Sequence, residues 1–115
     1  MKELFDKISL NASKHVTNEY STSFSLGIKM LNKSIREPIY AIYGFVRLAD
    51  EIVDSFHDFN KKELLDDFKK QTFNAIESKI SLNPILNSFQ HAVNYYKIDK
   101  WLIDAFSNSM EMDLI

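Results

Sequence analysis

The sequence predicts an all-α protein of about six helices. Apolar residues recur at spacings of three and four in most segments, which is the period of a helix with one buried face. The chain of 115 residues contains only two glycines and two prolines, and β-rich folds usually need more of these turn residues. An apolar fraction of 45% and a charged fraction of 26% are ordinary for a globular chain that can build a core.

Two helices are expected before residue 32. The first should run over about residues 2–16. Its predicted inward face consists of Leu4, Phe5, Ile8 and Ala12. The second lies within YSTSFSLGIKML, residues 20–31, behind a turn that is rich in hydroxyl side chains.

A third, longer helix is expected to begin near Ser34. Glu37 follows three residues after Ser34, which is the spacing of a capping box. Pro38 then falls in the predicted first turn, where a missing backbone N–H costs little. The helix should continue to about Phe56.

Three further helices are predicted in the C-terminal half. One covers about residues 61–80, and the next covers residues 84–96 after the break at Asn83-Pro84. Asp99 is expected to cap the last one. The predicted inward residues of these helices are Leu64, Leu65, Phe68, Phe73, Ile76 and Ile80, then Ile85, Leu86, Phe89, Val93 and Tyr96, then Trp101, Leu102, Ile103, Phe106 and Met110.

Composition excludes several classes of function. With a net charge of −2, the chain lacks the excess positive charge that binds nucleic acid. The absence of cysteine excludes disulfides and thiolate metal sites. No apolar run reaches the length of about 18 residues needed to cross a bilayer, and the N-terminus lacks the apolar region of a signal peptide. A cytoplasmic protein is therefore expected. The chain stops within an apolar helical pattern at MEMDLI, which suggests a fragment.

The stretch YGFVRLADEIVDSF, residues 43–56, places two aspartates on an otherwise apolar helix. On a helical wheel of about 100° per residue, four side chains share one narrow stripe. They are Tyr43, Arg47, Asp50 and Asp54. The other faces of this helix are apolar, so the stripe is expected to face a cavity that holds water or a ligand.

Two interpretations of this stripe remain open from the residues alone. Asp50 and Asp54 could be the solvated side of a surface helix, since this spacing is common by chance. Alternatively, they could share a Mg²⁺ ion, which takes carboxylate oxygens and often completes its shell with water and phosphate. Arg47 would then be free to donate hydrogen bonds to phosphate oxygens.

Three segments together resemble the N-terminal part of the squalene/phytoene synthase family. They are YSTSFSLGIKML, IREPIYAIYGFVRLADEIVD and the terminal MEMDL. The resemblance implies an isoprenoid-synthase helical bundle, of which residues 1–115 would be a truncated N-terminal portion. It also implies head-to-head condensation of two prenyl diphosphates, through a cyclopropyl diphosphate that then ionises and rearranges.

Site residues follow from the resemblance position by position. The implied catalytic residues are Tyr43, Arg47, Asp50 and Asp54. Asp50 and Asp54 would bind Mg²⁺, with Glu51 as an outer acid. The implied substrate-binding residues are Ser21, Ser23, Phe24, Tyr43 and Arg47. Tyr20 departs from the histidine that some members have, and no role follows for Tyr20 or for Asp113.

The resemblance leaves the product open. The run IYAIYGFVRLADEIVD slightly favours phytoene synthases of bacterial carotenoid biosynthesis, while squalene and dehydrosqualene synthases are alternatives. The family's second aspartate-rich motif has no match here, so the fragment itself is expected to be inactive. Its exposed inner face should make it self-associate, and the apolar product implies peripheral membrane association.

Two alternatives are not enzymes. One is a helical interaction module whose acidic stripe meets a basic partner. The other is a non-catalytic family relative that helps to assemble another complex.

Overall fold

The computed structural model describes residues 1–114, which form six helices and no strand. The all-α prediction is confirmed. The helices are α1 (Lys2–Tyr20), α2 (Thr22–Lys29), α3 (Lys33–Asp54), α4 (Lys61–Ser78), α5 (Pro84–Tyr96) and α6 (Lys100–Met112). In this part of the chain, no helix combines the length and the apolar character that a membrane crossing requires.

Helix α3 lies at the centre and contacts all five other helices. Its Phe45 is the middle of an aromatic cluster in the core. The Phe45 ring stacks on Phe89 of α5 with centroids 3.8 Å apart, and on Phe68 of α4 at 5.3 Å. Phe106 of α6 completes the cluster at 5.5 Å. Because α4, α5 and α6 each contribute a ring to this cluster, the three C-terminal helices hold the buried side of α3.

The predicted inward face of α1 is wrong. Leu4 and Ile8 are about half exposed, whereas the buried residues are Ser9, Ser13 and Thr17. Each of these buried hydroxyls has a hydrogen-bond partner, so their burial costs little. The Ser9 and Thr17 hydroxyls donate to the carbonyls of Phe5 and Ser13, one turn earlier. Small side chains let α1 approach its neighbours closely, which an aliphatic face would prevent.

A polar seam joins α1 to α5. The hydroxyls of Ser13 and Ser88 share a hydrogen bond of 2.5 Å, and the Asn87 amide donates to Asp6 and Ser9. Asn87 is almost completely buried. Within residues 1–114, no buried side-chain polar atom lacks a partner. The polar seam therefore favours one alignment of α1 against α5, and every buried polar side-chain atom in it has a hydrogen-bond partner.

The helix boundaries differ from the predictions mainly around α3. Asn32 caps this helix by accepting a hydrogen bond from the Ser34 backbone N–H, so the capping box predicted from Ser34 is wrong. Pro38 is the sixth helical residue and lies in the second turn, one turn later than predicted. Helix α1 runs four residues beyond its predicted end at Val16.

The three C-terminal helices lie where the pattern predicts, and α5 matches its predicted bounds. Five predicted inward side chains are exposed instead: Leu64, Ile80, Tyr96, Trp101 and Leu102. Asp99 occupies the N-cap position of α6 as predicted, although its side chain makes no capping hydrogen bond.

Candidate functional site

The predicted stripe lies along the C-terminal half of α3. Tyr43, Arg47 and Asp50 are half-buried, and Asp54, the last residue of the helix, is exposed. The Lys61 ammonium donates a hydrogen bond of 2.6 Å to the Val53 carbonyl. This contact satisfies one of the carbonyls that a helix end leaves without a partner, next to Asp54.

Arg47 bonds to the acids that follow it on the helix. Its Nη2 lies 2.6 Å from Glu51 Oε2, while its Nη1 lies 3.7 Å from Asp50 Oδ2. The Arg47 and Glu51 side chains are only 22% and 17% exposed, so this ion pair is sheltered from water. The sequence predicted Arg47 to be free for phosphate. One edge of its guanidinium is instead taken by Glu51.

The junction between α1 and α2 brings two aromatic rings onto the stripe. Ser21 separates the helices in an extended conformation, and its hydroxyl caps α2 by accepting a hydrogen bond from the Phe24 N–H. Tyr20, just before this junction, lies over the Arg47 guanidinium with its ring centroid 4.4 Å away. Phe24, just after it, stacks on Tyr43 at 4.6 Å. Both rings therefore cover the tyrosine and arginine end of the stripe.

Ser21 and Ser23 are placed differently from one another. Ser21 is half-buried at the junction, and its side-chain oxygen is already used as the cap of α2. Ser23 is exposed in the first turn of α2. The backbone N–H groups in the first turn of α2 have no acceptor within the helix, and they lie near the rings of Phe24 and Tyr43. Such groups are a favourable place for an anion.

Burial raises the pKa of Asp50. Desolvation is the main cause, and the nearby carboxylates of Asp54 and Asp113 add to it, while Arg47 acts in the opposite direction. Asp113 follows α6, so the end of that helix contributes to the field at the stripe. An acid whose ionised form is disfavoured by burial and by like charges gains from a bound cation.

Glu51 shows the opposite shift. A hydrogen bond from Ser55 is the main cause that lowers its pKa, and hydrogen bonds from Tyr20 and Arg47 lower it further against the effect of burial. The hydrogen bond between the Tyr20 hydroxyl and Glu51 is also the main cause that raises the pKa of Tyr20. Glu51 is thus a stably ionised carboxylate with several donors around it. The family resemblance implied only an outer role for Glu51, although its i,i+4 spacing from Arg47 indicates the pair.

The cavity that was expected around both aspartates is not enclosed by residues 1–114, since Asp54 is exposed. A cavity of about 450 Å³ lies elsewhere, between α1, α5 and the N-terminal end of α3. Its walls include Pro38 and Ala41, which lie on the opposite side of α3 from the stripe. None of the predicted site residues lines it.

Donor chemistry at the stripe fits part of a Mg²⁺ site. Asp50 and Asp54 offer carboxylate oxygens one helical turn apart, and Mg²⁺ is commonly bound through one or two carboxylates with waters and phosphate completing the shell. Across residues 1–114, no group of three or more His, Asp or Glu side chains could hold a metal ion. Asp50 and Asp54 would therefore supply only a portion of an octahedral shell, with positions left for water and phosphate oxygens.

A family model described as squalene/phytoene synthase matches residues 17–115. The chain belongs to the squalene/phytoene synthase family. The match includes α2 and the whole stripe, and it excludes most of α1. Presqualene diphosphate synthase of Zymomonas mobilis subsp. mobilis is 35% identical over 66 residues, which are 56% of this chain and 23% of that relative. The matched stretch thus covers less than a quarter of this squalene/phytoene synthase relative.

Proposed function

We propose that this chain carries the first half of the active site of a head-to-head prenyltransferase, in which two prenyl diphosphates condense. Membership of the squalene/phytoene synthase family supports this reaction class. The observation that carries the proposal is the stripe itself: Arg47, Asp50 and Asp54 follow one another on the face of α3 that the aromatic pair Phe24–Tyr43 borders. A cation, two oxygen donors for a metal and an aromatic wall are what a prenyl diphosphate requires.

Each group has a distinct task in this proposal. Asp50 and Asp54 hold Mg²⁺, which supplies electrostatic stabilisation of the leaving diphosphate when it is bound. Arg47 donates from its free Nη1 edge to diphosphate oxygens. The faces of Phe24 and Tyr43 line the prenyl chain, because an aromatic face stabilises a passing carbocation without bonding to it covalently. Excluding water from this wall protects that cation.

The first product in this proposal is a cyclopropyl diphosphate. The relative from Zymomonas mobilis is named a presqualene diphosphate synthase, which supports such a product over direct release of a hydrocarbon. Phytoene, squalene and dehydrosqualene are the rearranged products that the same reaction class allows, and product analysis distinguishes them. A peripheral membrane location in the cytoplasm would suit any of these apolar products.

We expect residues 1–115 alone to be inactive. Asp50 and Asp54 provide too few ligands for a stable Mg²⁺–diphosphate complex, and Asp54 is exposed to solvent. A full-length protein would supply the remaining metal ligands and cover the stripe. Full-length protein is therefore the material for the decisive experiment.

The experiment incubates purified full-length protein with farnesyl or geranylgeranyl diphosphate and identifies products by mass spectrometry. Mg²⁺-dependent formation of a cyclopropyl diphosphate, or of a hydrocarbon derived from it, is expected. Asp50→Asn and Asp54→Asn should each lower turnover by about 10²-fold or more, as for other residues that stabilise transition-state charge. Asp58→Asn, an exposed aspartate in the loop before α4, is the matched control and should leave turnover unchanged.

Turnover that persists in EDTA, or that survives both stripe substitutions, would contradict the proposal. A full-length protein that neither binds prenyl diphosphate nor responds to Mg²⁺ would instead favour the helical interaction module. In that case the acidic stripe should bind a basic partner, and the same two substitutions should weaken that binding.

A further inference from the structure

The guanidinium of Arg47 is held from two directions by residues outside the predicted metal pair. Tyr20 lies over its face at 4.4 Å, and Glu51 takes its Nη2 edge at 2.6 Å. Tyr20 comes from the end of α1, whereas Glu51 lies one turn further along α3. A planar group that is stacked on one face and hydrogen-bonded along one edge has lost most of its rotational freedom.

The remaining edge of this guanidinium points toward the metal-binding acids. Arg47 Nη1 lies 3.7 Å from Asp50 Oδ2, which is too far for a hydrogen bond and leaves its donors unused. A diphosphate bound to a metal on Asp50 would lie next to this edge. Because Arg47 Nη1 is oriented before the substrate arrives, binding of the diphosphate loses less conformational entropy.

We propose that Glu51 is a positioning residue, which together with the ring of Tyr20 holds Arg47 with its free edge turned toward the diphosphate on Asp50. This inference rests on the proposed function and deepens it. It assigns Glu51 a task that differs from metal binding, although Glu51 lies between the two aspartates in the sequence DEIVD.

The geometry separates Glu51 from the metal pair. Asp50 and Asp54 are one turn apart and share a face, while Glu51 is displaced around the helix by about 100° from Asp50 and by about 60° from Asp54. Its carboxylate is 17% exposed and is occupied by the shortest ion pair of the cluster. A Mg²⁺ ion on Glu51 would have to break this sheltered pair, and that would leave the Arg47 charge without its partner.

Substitution of Glu51 tests the two roles separately. Glu51→Ala removes the acceptor and should release Arg47. Glu51→Gln keeps an oxygen of the same reach, which can still accept from Nη2, but it is a poor replacement for a metal-binding carboxylate. Tyr20→Phe keeps the ring over Arg47 and removes only the hydroxyl that donates to Glu51, whereas Tyr20→Leu removes both.

The first measurement needs no substrate. Full-length protein is treated with phenylglyoxal, and modification of individual arginines is followed by peptide mass spectrometry. Glu51→Ala should raise the modification rate of Arg47 by about fivefold to tenfold, which corresponds to about 1–1.4 kcal/mol of lost protection. Arg36, whose guanidinium donates to the Lys29 and Leu31 carbonyls far from the stripe, is the internal reference and should react at a constant rate.

The second measurement is binding of magnesium pyrophosphate by calorimetry, together with kcat and KM for prenyl diphosphate. Glu51→Ala and Tyr20→Leu should raise the Kd and the KM by about tenfold, while Glu51→Gln and Tyr20→Phe stay within about threefold of wild type. The Mg²⁺ concentration that gives half-maximal activity should change little in Glu51→Gln. Circular dichroism and thermal unfolding confirm that each variant is folded.

Each contrary result has a clear meaning. Unchanged reactivity of Arg47 in Glu51→Ala would overturn the positioning role, and so would a Glu51→Gln variant that needs about tenfold more Mg²⁺, since Glu51 would then be a metal ligand. Wild-type protein that binds no magnesium pyrophosphate would overturn the proposed function. The phenylglyoxal result would then still show whether Glu51 holds Arg47, so the two failures are distinguishable.

Discussion

Gly44 of α3 faces Ser13 of α1 in a close contact between these helices. A Cβ placed on Gly44 would lie 2.9 Å from the Ser13 hydroxyl oxygen and 3.2 Å from its Cα. The Ser13 side chain cannot move aside freely, because it is buried and hydrogen-bonded to Ser88. The absence of a side chain at Gly44 therefore sets the distance between α1 and the helix that carries the site.

Gly44→Ala is expected to lower the free energy of unfolding by about 1–3 kcal/mol, because the added methyl group must push the two helices apart. The matched control is Gly27→Ala in the exposed last turn of α2, where an added Cβ would meet nothing within 4 Å. That variant should gain about 0.5–1 kcal/mol from helix propensity. Urea unfolding monitored by circular dichroism measures both changes. Equal effects of the two substitutions would contradict the close contact.

Lys61→Met should weaken the end of α3. The substitution removes the hydrogen bond from Lys61 to the Val53 carbonyl, and it is expected to cost about 1 kcal/mol of unfolding free energy. Lys62→Met is the matched control, since Lys62 contacts only the exposed Asp66 on its own helix, and the stability should barely change. Hydrogen exchange of the backbone amides near Asp54 should increase in Lys61→Met alone. Protection that is equal in the two variants would show that this cap is unimportant.

Asp50→Asn should make the protein more stable near pH 7. The pKa of Asp50 is raised in the folded state by desolvation, so its ionised form destabilises the fold above that pKa. Stability should then rise as the pH falls through the raised value, because the folded state binds the proton more tightly than the unfolded chain does. The asparagine variant avoids this cost and should gain less than about 1 kcal/mol, since Asp50 is partly solvated.

Chemical unfolding at several pH values tests this prediction. The gain of Asp50→Asn over wild type should be largest near pH 7 and disappear in acid, once Asp50 is protonated in both states. Asp58→Asn serves as the exposed control. A variant that is less stable than wild type at neutral pH would show that the contact with Arg47 outweighs desolvation.

Phe24→Ala should loosen the attachment of α2 to α3. The stack of Phe24 on Tyr43 contributes about 1 kcal/mol beyond simple burial, in addition to the packing of the buried Ile28. Leu26→Ala on the same helix is the control, because Leu26 is 57% exposed and should cost clearly less. Thermal unfolding compares the two. A larger loss in Leu26→Ala would mean that α2 docks through a different face.

Self-association is expected for residues 1–115 in isolation. Large apolar side chains are exposed on several helices, among them Tyr95 of α5 and Trp101 of α6 at 70% and 66%. Monomeric proteins rarely expose this much apolar surface. Light scattering at increasing concentration should show a rising average mass, and Trp101→Gln should reduce it. A monomer at every concentration would contradict this prediction.

Local patterns in the sequence were sufficient for much of this fold. Helices α4, α5 and α6 follow from apolar spacing within single segments, and α5 also has a strong start signal at Asn83-Pro84. The stripe of Tyr43, Arg47, Asp50 and Asp54 could be placed on one face because helical geometry alone fixes the angles between its members. The predicted roles of these residues as ligands of substrate and metal remain predictions that the experiments above test.

The inward face of α1 depends on its neighbours, and the sequence pattern of α1 predicted the wrong one. Hydroxyl residues are buried there because Gly44 and Ser88 allow a close, hydrogen-bonded approach, which hydrophobicity alone does not reveal. The packing of Tyr20 on Arg47 also joins residues 27 positions apart. Sequence by itself therefore determined which helices form and which charged residues share a face. Tertiary structure decided which faces meet and how Arg47 is held, because contacts between helices depend on shape and distance that no periodicity encodes.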